Sequence, residues 1–293
     1  MIRAIAGAVV LMLGATAIAG PPTTPAFDYD RKTPQKIGIG SARPMTVGVY
    51  AEDITFESGD RRITGEFVPG LGRGPHPAIL FVHWLGDPKT TNHTEFEPDA
   101  IAFAKRGVSS LLVDAPWSHR GWFGQQGASA DADIASSRDE VIDLRRSLDL
   151  LQSLPGVDRS RLAYVGHDFG AMFGVMVASV DARARWWVFM APNSSLGEWY
   201  LWEKKIADRD VYLARLSVFD LANFAPKLSA NGVLFQFSQH DAYVTREHAQ
   251  AIFQAIGARP KAMIWFDTDH ALATDEAREN RVRWLTDRLL AKP

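Results

Sequence analysis

The sequence predicts a doubly wound α/β protein, and three observations carry that prediction. Short apolar runs of strand length recur along the chain, as strands buried on both faces of a parallel sheet require. Segments with helical periodicity separate them. An alternating, antiparallel-looking opening precedes the first of these runs.

Residues 45–56 and 62–68 alternate apolar and polar positions, so they are expected as the two strands of a hairpin turning at Ser58-Gly59-Asp60. Ala78-Ile79-Leu80-Phe81-Val82 is the first continuous apolar strand, followed by a helix over 96–105 that ends at Gly107. Residues 109–114 form the next strand. A long helix over 131–154 presents Ile134, Val141, Leu144, Leu148 and Leu151 on one face and stops at Pro155-Gly156. Leu162-Ala163-Tyr164-Val165 is a strand, 171–178 a helix of small and apolar residues, and Trp186-Trp187-Val188-Phe189-Met190 another strand. Between 193 and 225 the pattern weakens into aromatic-rich short helices, read as a lid inserted into the sheet order. The alternation resumes with a strand at 232–237, a helix over 246–256, a strand at 263–266 and a closing helix over 275–290.

The chain of 293 residues has ample apolar content for a sizeable core, and its net charge of −2 gives no footprint for nucleic acid or an anionic membrane. It contains no cysteine, which excludes disulfides, thiolate metal sites and a Cys nucleophile. At the N-terminus, Arg3 precedes an uncharged apolar stretch over 4–15, and Ala17-Ile18-Ala19 offers small residues for cleavage before Gly20. This predicts a signal peptide over 1–19 and a periplasmic or secreted protein. The apolar stretch lies near the lower limit for spanning a bilayer and Gly20-Pro21-Pro22 follows in place of a basic stop, so no stable membrane anchor is expected after processing. Residues 20–43 read as a flexible lead-in, and 44–293 as the folded domain.

The chemistry concentrates in Gly166-His167-Asp168-Phe169-Gly170. A strand, a sharp glycine-flanked turn and a helix make a nucleophile elbow, G-x-Nuc-x-G, with aspartate at the centre. The glycines are needed because the turn is strained and presses strand against helix. Three further loops follow predicted strands. They are His83-Trp84-Leu85-Gly86, the segment Ser238-Gln239-His240-Asp241-Ala242-Tyr243-Val244, and Asp267-Thr268-Asp269-His270-Ala271-Leu272. In such sheets reactive groups gather at the carboxyl ends of strands. Asp168, Asp241 and His270 then supply nucleophile, acid and base in that chain order. Asp241 could instead cap the next helix, and Asp267 and Asp269 are alternative acids, though they lie close in sequence to His270. His240 is read as incidental. The remaining histidines lack metal-ligand spacing, so neither a metal nor another cofactor is expected.

From about residue 45 onward the chain resembles the α/β-hydrolases. The body is similar to the dienelactone hydrolase-like branch through Val157-Asp158, Arg161-Leu162-Ala163-Tyr164-Val165-Gly166-His167, the Gln-His-Asp-Ala-Tyr-Val segment and the Trp-Phe-Asp-Thr-Asp-His ending. The elbow Gly-His-Asp-Phe-Gly-Ala is similar to that of epoxide hydrolases and haloalkane dehalogenases. The resemblance implies an oxyanion hole from the N–H of Phe169 and that of Leu85, with Trp84 the alternative donor and a pocket wall. It also places His83, His167, Tyr200 and Tyr212 around a pocket for a small organic substrate.

An aspartate attacking an acyl carbon would form a mixed anhydride while expelling an alkoxide. The adduct would eject the carboxylate instead, since its conjugate acid has a pKa of about 4. Attack on a saturated carbon avoids this and gives an alkyl ester of Asp168, which His270 and water then hydrolyse. An epoxide requires an acid donor, for which Tyr200 and Tyr212 are candidates. The dehalogenase variant is weakened by Phe169, where that family places a tryptophan, although Trp199 or Trp202 could substitute. Two alternatives stand beside this reading: an ester or lactone hydrolase with Asp168 as general base, and a non-catalytic binding protein.

Overall fold

A computed structural model describes residues 26–87 and 89–291. The expected signal peptide and the first residues of the lead-in lie outside the described residues. The described elements run β1 (Gly38–Thr46), β2 (Val49–Ser58), β3 (Arg61–Val68), β4 (His76–Val82), α1 (Glu97–Ala104), β5 (Ser109–Val113), α2 (Trp122–Gln125), α3 (Ala130–Ser153) and β6 (Val157–His167). They continue with α4 (Phe169–Val180), β7 (Ala184–Met190), α5 (Leu196–Tyr200), α6 (Arg209–Leu216), β8 (Gly232–Ser238), α7 (Arg246–Ala255), β9 (Lys261–Phe266) and α8 (Asp275–Leu289).

One nine-stranded sheet has the order β1-β2-β3-β5-β4-β6-β7-β8-β9. The opening strands pair antiparallel as far as β3 with β5, and every later pairing is parallel. Helices cover both faces, α3 packing with α4 and α1 with α8. Strands β4, β5 and β8 are therefore buried almost end to end, whereas β6 opens on polar residues 158–161 and the edge strand β9 is half-buried. The α1–α8 contact is fixed by Arg281, whose Nε and Nη2 donate to the two oxygens of Asp99 at 2.6 and 2.9 Å. Both side chains are buried, so the paired geometry offsets the loss of water around each charge. Helix α4 is apolar all round, buried from Phe169 through Ala178, as a helix packed on all sides must be.

The structure departs from the sequence reading in two places at the N-terminal end. The strand expected over 45–56 is interrupted at Val47-Gly48, where Gly48 takes φ 76°, and two antiparallel strands, β1 and β2, meet there. Within the described part of the segment 20–43, read as a flexible lead-in, most residues face water but particular side chains reach the domain. Phe27 is buried beside Phe219 and Phe224, and the Tyr29 hydroxyl donates to Asp149 at 2.8 Å. An edge strand with most residues facing water leaves no period-two apolar signal, which is why β1 was not legible.

Candidate active site

Strand β6 delivers Asp168 to the carboxyl edge of the sheet, and α4 starts at the next residue. Asp168 takes φ 53° and ψ −115°, a conformation disfavoured for any residue with a Cβ. Its N–H donates to Met190 O at 2.9 Å, while its own carbonyl accepts from Ala171 and Met172 at 3.0 and 2.9 Å. The flanking glycines are required sterically. A Cβ on Gly166 would stand 2.3 Å from Gly170 O, and one on Gly170 would stand 2.2 Å from Val82 O.

Two donors hold the carboxylate. The Leu85 N–H, in the loop after β4, donates to Asp168 Oδ2 at 3.1 Å. The indole Nε1–H of Trp199, on α5, donates to Oδ1 at 2.5 Å. Phe169 is the first residue of α4, so its N–H is among those with no partner inside the helix and stands at the positive end of the helix dipole. The Trp84 N–H is committed elsewhere, to Glu95 Oε2 at 2.7 Å, so Leu85 is the donor of this loop that faces Asp168. Burial raises the proton affinity of Asp168 above that of an ordinary carboxyl, although His270, Leu85 and Trp199 act in the other direction.

His270 follows β9 and is buried. Its Nδ1 lies 2.8 Å from Asp241 Oδ2. A carboxylate only accepts, so Nδ1 carries the hydrogen and Nε2 is left with its lone pair. That Nε2 is buried without a protein partner. Burial alone would lower the proton affinity of His270, but the Asp241 and Asp168 carboxylates raise it. Burial likewise opposes the charge on Asp241, yet the imidazole and the N–H groups of Val244 and Tyr243 hold its carboxyl below the usual range.

Asp168 and His270 line one cavity of about 520 Å³, walled by Trp84, Phe123, Phe169, Trp199, Trp202 and Tyr243. Direct hydrogen bonding links His270 to Asp241 and not to Asp168, which leaves the space of the cavity between base and elbow.

Comparison with solved structures fixes what this architecture is. Acetyl xylan esterase 1 from Thermoanaerobacterium sp. superposes with a TM-score of 0.71 over 93% of this chain and 96% of its own, at 16% identity. A cold-adapted esterase from an Arctic intertidal metagenomic library gives 0.62 over 86% and 99% at 17% identity. The chain has the α/β-hydrolase fold. The 2,6-dihydroxy-pseudo-oxynicotine hydrolase shares it at a TM-score of 0.65, covering 82% of this chain and 68% of that one at 16% identity. At such identities the likeness is one of fold. Among curated proteins, polyketide transferase ATR5 of Stachybotrys chlorohalonatus is 29% identical over 144 residues, 49% of this chain and 45% of that protein. The match therefore spans less than half the length of that relative. No family model matches the chain.

Within the hydrolase fold, several residues named from sequence lie elsewhere than expected. His83 is fully buried beneath the cavity. Its Nε2 accepts from the Ala115 N–H at 3.0 Å and its Nδ1 donates to Trp84 O at 2.8 Å, and burial lowers its proton affinity to a pKa of about 4. His167 is also fully buried and does not line the cavity. Tyr200 and Tyr212 are withdrawn as well. The Tyr200 hydroxyl meets Ser137 Oγ at 2.9 Å, and the Tyr212 hydroxyl donates to Asp133 Oδ2 at 2.6 Å, so both serve the packing of the inserted segment on α3. A helix that presents Trp199 to the cavity turns its next residue, Tyr200, about 100° away. The tyrosine that does reach the cavity is Tyr243, whose ring lies edge-on to His270 at 5.0 Å.

A residue the sequence did not single out, Glu95, ties the elbow to the loop after β4 without lining the cavity. Its Oε1 lies 2.6 Å from His167 Nδ1, and its Oε2 accepts the Trp84 N–H. His167 Nε2 is 3.0 Å from the carbonyl of His270, which can only accept, so Nε2 carries a hydrogen. Burial raises the proton affinity of Glu95 well above the ordinary carboxyl value, and burial lowers His167 to a pKa of about 3. Both directions place the remaining proton on Glu95, which donates it to a neutral His167. Every polar atom of the pair is then satisfied, and the elbow, the Leu85 loop and the His270 loop are joined through it. Trp84 stacks on the His167 ring at 5.1 Å with planes 5° apart. No sequence pattern marks Glu95, since its partners lie 11 and 72 residues away.

Away from the cavity, Glu66, His93 and Glu97 bring ligand-type atoms within 4.8 Å of one another. Arg43 donates to Glu66 Oε1 at 2.7 Å and also pairs with Glu97, while His93 pairs with Asp114 at 2.8 Å. A guanidinium thus already supplies the positive charge there.

Proposed function

We propose that this chain is a hydrolase in which Asp168 attacks a saturated carbon and His270, oriented by Asp241, directs water against the resulting ester. The observation that carries the reading is the division of labour at the Asp168 carboxylate. Oδ2 already accepts from the Leu85 N–H, the place of a carbonyl oxygen in an oxyanion hole, while Oδ1 meets a cavity-wall residue, Trp199. Oδ1 bonds to carbon, and the leaving group departs with its electron pair. Oδ2 becomes the ester carbonyl. His270 Nε2 then takes a proton from water, and the hydroxide adds to Asp168 Cγ. Charge develops on Oδ2, where the Leu85 and Phe169 N–H groups stabilise it. Collapse expels the product alkoxide, which recovers the proton from His270, and Asp168, left as the carboxylic acid, releases its proton to solvent to restore the carboxylate.

Trp199 hydrogen-bonds but does not transfer a proton, so its indole suits a leaving group that departs as a stable anion. For an epoxide, Tyr243 is the acid donor that takes the part first assigned to Tyr200 and Tyr212. A second reading has its own support. The raised proton affinity of Asp168 suits a general base acting on an acyl substrate, and solved proteins of this fold include esterases.

The test begins with a screen of epoxides, haloalkanes, lactones and aryl esters. A single turnover in oxygen-18 water is expected to label Asp168, because water attacks the enzyme ester. His270→Ala is expected to accumulate the alkyl-enzyme at a mass-detectable level. Label appearing directly in product with no adduct would move the assignment to general-base catalysis, and a panel with no turnover would favour a binding protein. We also infer export, on the apolar stretch over 4–15 and the small residues before Gly20. N-terminal sequencing of periplasmic protein is expected to read from Gly20, and soluble cytoplasmic protein retaining Met1 would remove that inference.

A further inference from the structure

The charges around the cavity select among substrates. Its lining contains the carboxylates Asp87, Asp168 and Asp269 and contains neither lysine nor arginine. The two histidines of the lining, His240 and His270, each have a carboxylate of their own, Asp267 at 2.7 Å and Asp241 at 2.8 Å. Among the described residues, Asp87 and Asp269 take part in no ion pair. Each instead accepts a main-chain N–H in its own turn, from Lys89 at 2.8 Å and from Ala271 at 3.2 Å. They stand exposed at the rim, above a wall of indole, phenol and phenyl rings. Trp199, Trp202 and Tyr243 form a mutually packed set, with centroids 5.6, 6.0 and 5.3 Å apart, and Trp202 and Tyr243 remain partly exposed.

Ring faces carry negative potential and attract organic cations, more strongly where water is excluded. Unpaired carboxylates around a low-dielectric mouth concentrate cations and repel anions. An anionic substrate would also meet the buried carboxylate of Asp168 with neither lysine nor arginine in the lining to offset the repulsion. We infer that the cavity takes a small organic cation, an amine or quaternary ammonium compound whose charged end rests among Trp202, Tyr243 and the two rim carboxylates while its reactive carbon reaches Asp168. This rests on the reading of the cavity as the site of the Asp168 reaction. It adds the class of molecule admitted.

Binding of unreactive ligands tests it without any turnover. Calorimetry on the full mature chain would compare benzyltrimethylammonium, benzyl alcohol and phenylacetate, which share a benzyl group and differ in charge. The cation is expected to bind about tenfold tighter than the alcohol, the anion most weakly, and added salt to narrow the difference. Asp87→Asn with Asp269→Asn keeps both main-chain acceptors, and is expected to weaken the cation about tenfold while moving benzyl alcohol less than about twofold. Trp202→Ala, at a partly exposed position, is expected to act in the same selective way. Phenylacetate binding as tightly as the cation, no binding of the cation, or equal losses for cation and alcohol in the variants would each overturn the inference. A failure to trap an alkyl-enzyme would leave this ligand series intact, so the two readings fail separately.

Discussion

Two histidines lie ring to ring at 5.4 Å, His270 lining the cavity and His167 fully buried outside its lining, and the structure drives their proton affinities apart. His270 sits in the loop after β9 with an ionised acid on Nδ1 and a lone pair directed away from any protein partner. His167 sits in the elbow between a protonated carboxyl and a carbonyl, with both nitrogens occupied. The first is charged easily and can exchange a proton. The second is locked neutral and serves as a strut. Burial is nearly the same for both, so the difference comes from the charge of the partner on Nδ1. Asp241 stays ionised against its burial because the His270 imidazole and then the N–H groups of its own turn stabilise the charge, whereas Glu95 has one N–H and is held by burial in its neutral form.

The largest effect that would break this comparison concerns turnover. His270→Ala is expected to reduce steady-state turnover about a thousandfold or more, with the ester of Asp168 accumulating. If turnover survives, His270 is not the base. Asp241→Asn is expected to lose about a hundredfold to ten-thousandfold, since the wrong tautomer then presents a hydrogen on Nε2. The pH profile supplies the sign. The base must be neutral, so activity falls as pH drops through the raised pKa of His270, and Asp241→Asn moves that limb to lower pH. A limb that stays in place would assign it to another group.

Trp199→Phe keeps a ring in the wall and removes the donor to Oδ1. It is expected to cost about a hundredfold in the step that forms the ester, with little effect on hydrolysis of a trapped ester. Pre-steady-state measurement of the two phases separates them.

His167 sharpens the comparison through stability. Its pKa falls from an ordinary 6.5 to about 3 on folding, so between these values the unfolded chain binds a proton that the folded chain refuses. Stability is therefore expected to be lost as pH drops across that window. His83, lowered to about 4, adds to the same loss. Urea unfolding of His167→Gln is expected to show a shallower acid slope, by as much as one proton, with the pH limb of turnover still set by His270. An unchanged slope would show that His167 is charged in the folded protein.

The smallest effect is expected at Tyr200, adjacent to Trp199 and turned about 100° away from it. Tyr200→Phe removes one buried hydrogen bond, worth about 1 kcal/mol, and should leave turnover unchanged, because Ser137 retains its bond to Asp133 O at 2.6 Å. A large loss of activity there would return Tyr200 to the site.

The strands β2 and β3 were legible in the sequence through their alternation, the parallel strands from β4 onward because strands buried on both faces must be apolar runs, and α3 because one face of a long helix must be apolar. The elbow was legible because its strain and its close packing tolerate glycine alone at two positions. Chain order then singled out Asp241 and His270. The inserted segment was not legible in this way. Trp199 and Tyr200 are adjacent aromatic residues of equal apolar character, and composition cannot say which one a short helix turns toward the cavity. Glu95 was invisible for a related reason, since a lone glutamate reads as a solvated charge until the fold closes two loops and an elbow over it. The amino-acid sequence by itself determined the layers, the strained turn and the residue types brought to the sheet edge, because these follow from local periodicity and backbone sterics. Only the tertiary structure decided which histidine can take up a proton, which tyrosine reaches the cavity and where the proton between Glu95 and His167 rests. Those outcomes depend on burial and on partners far away in the chain.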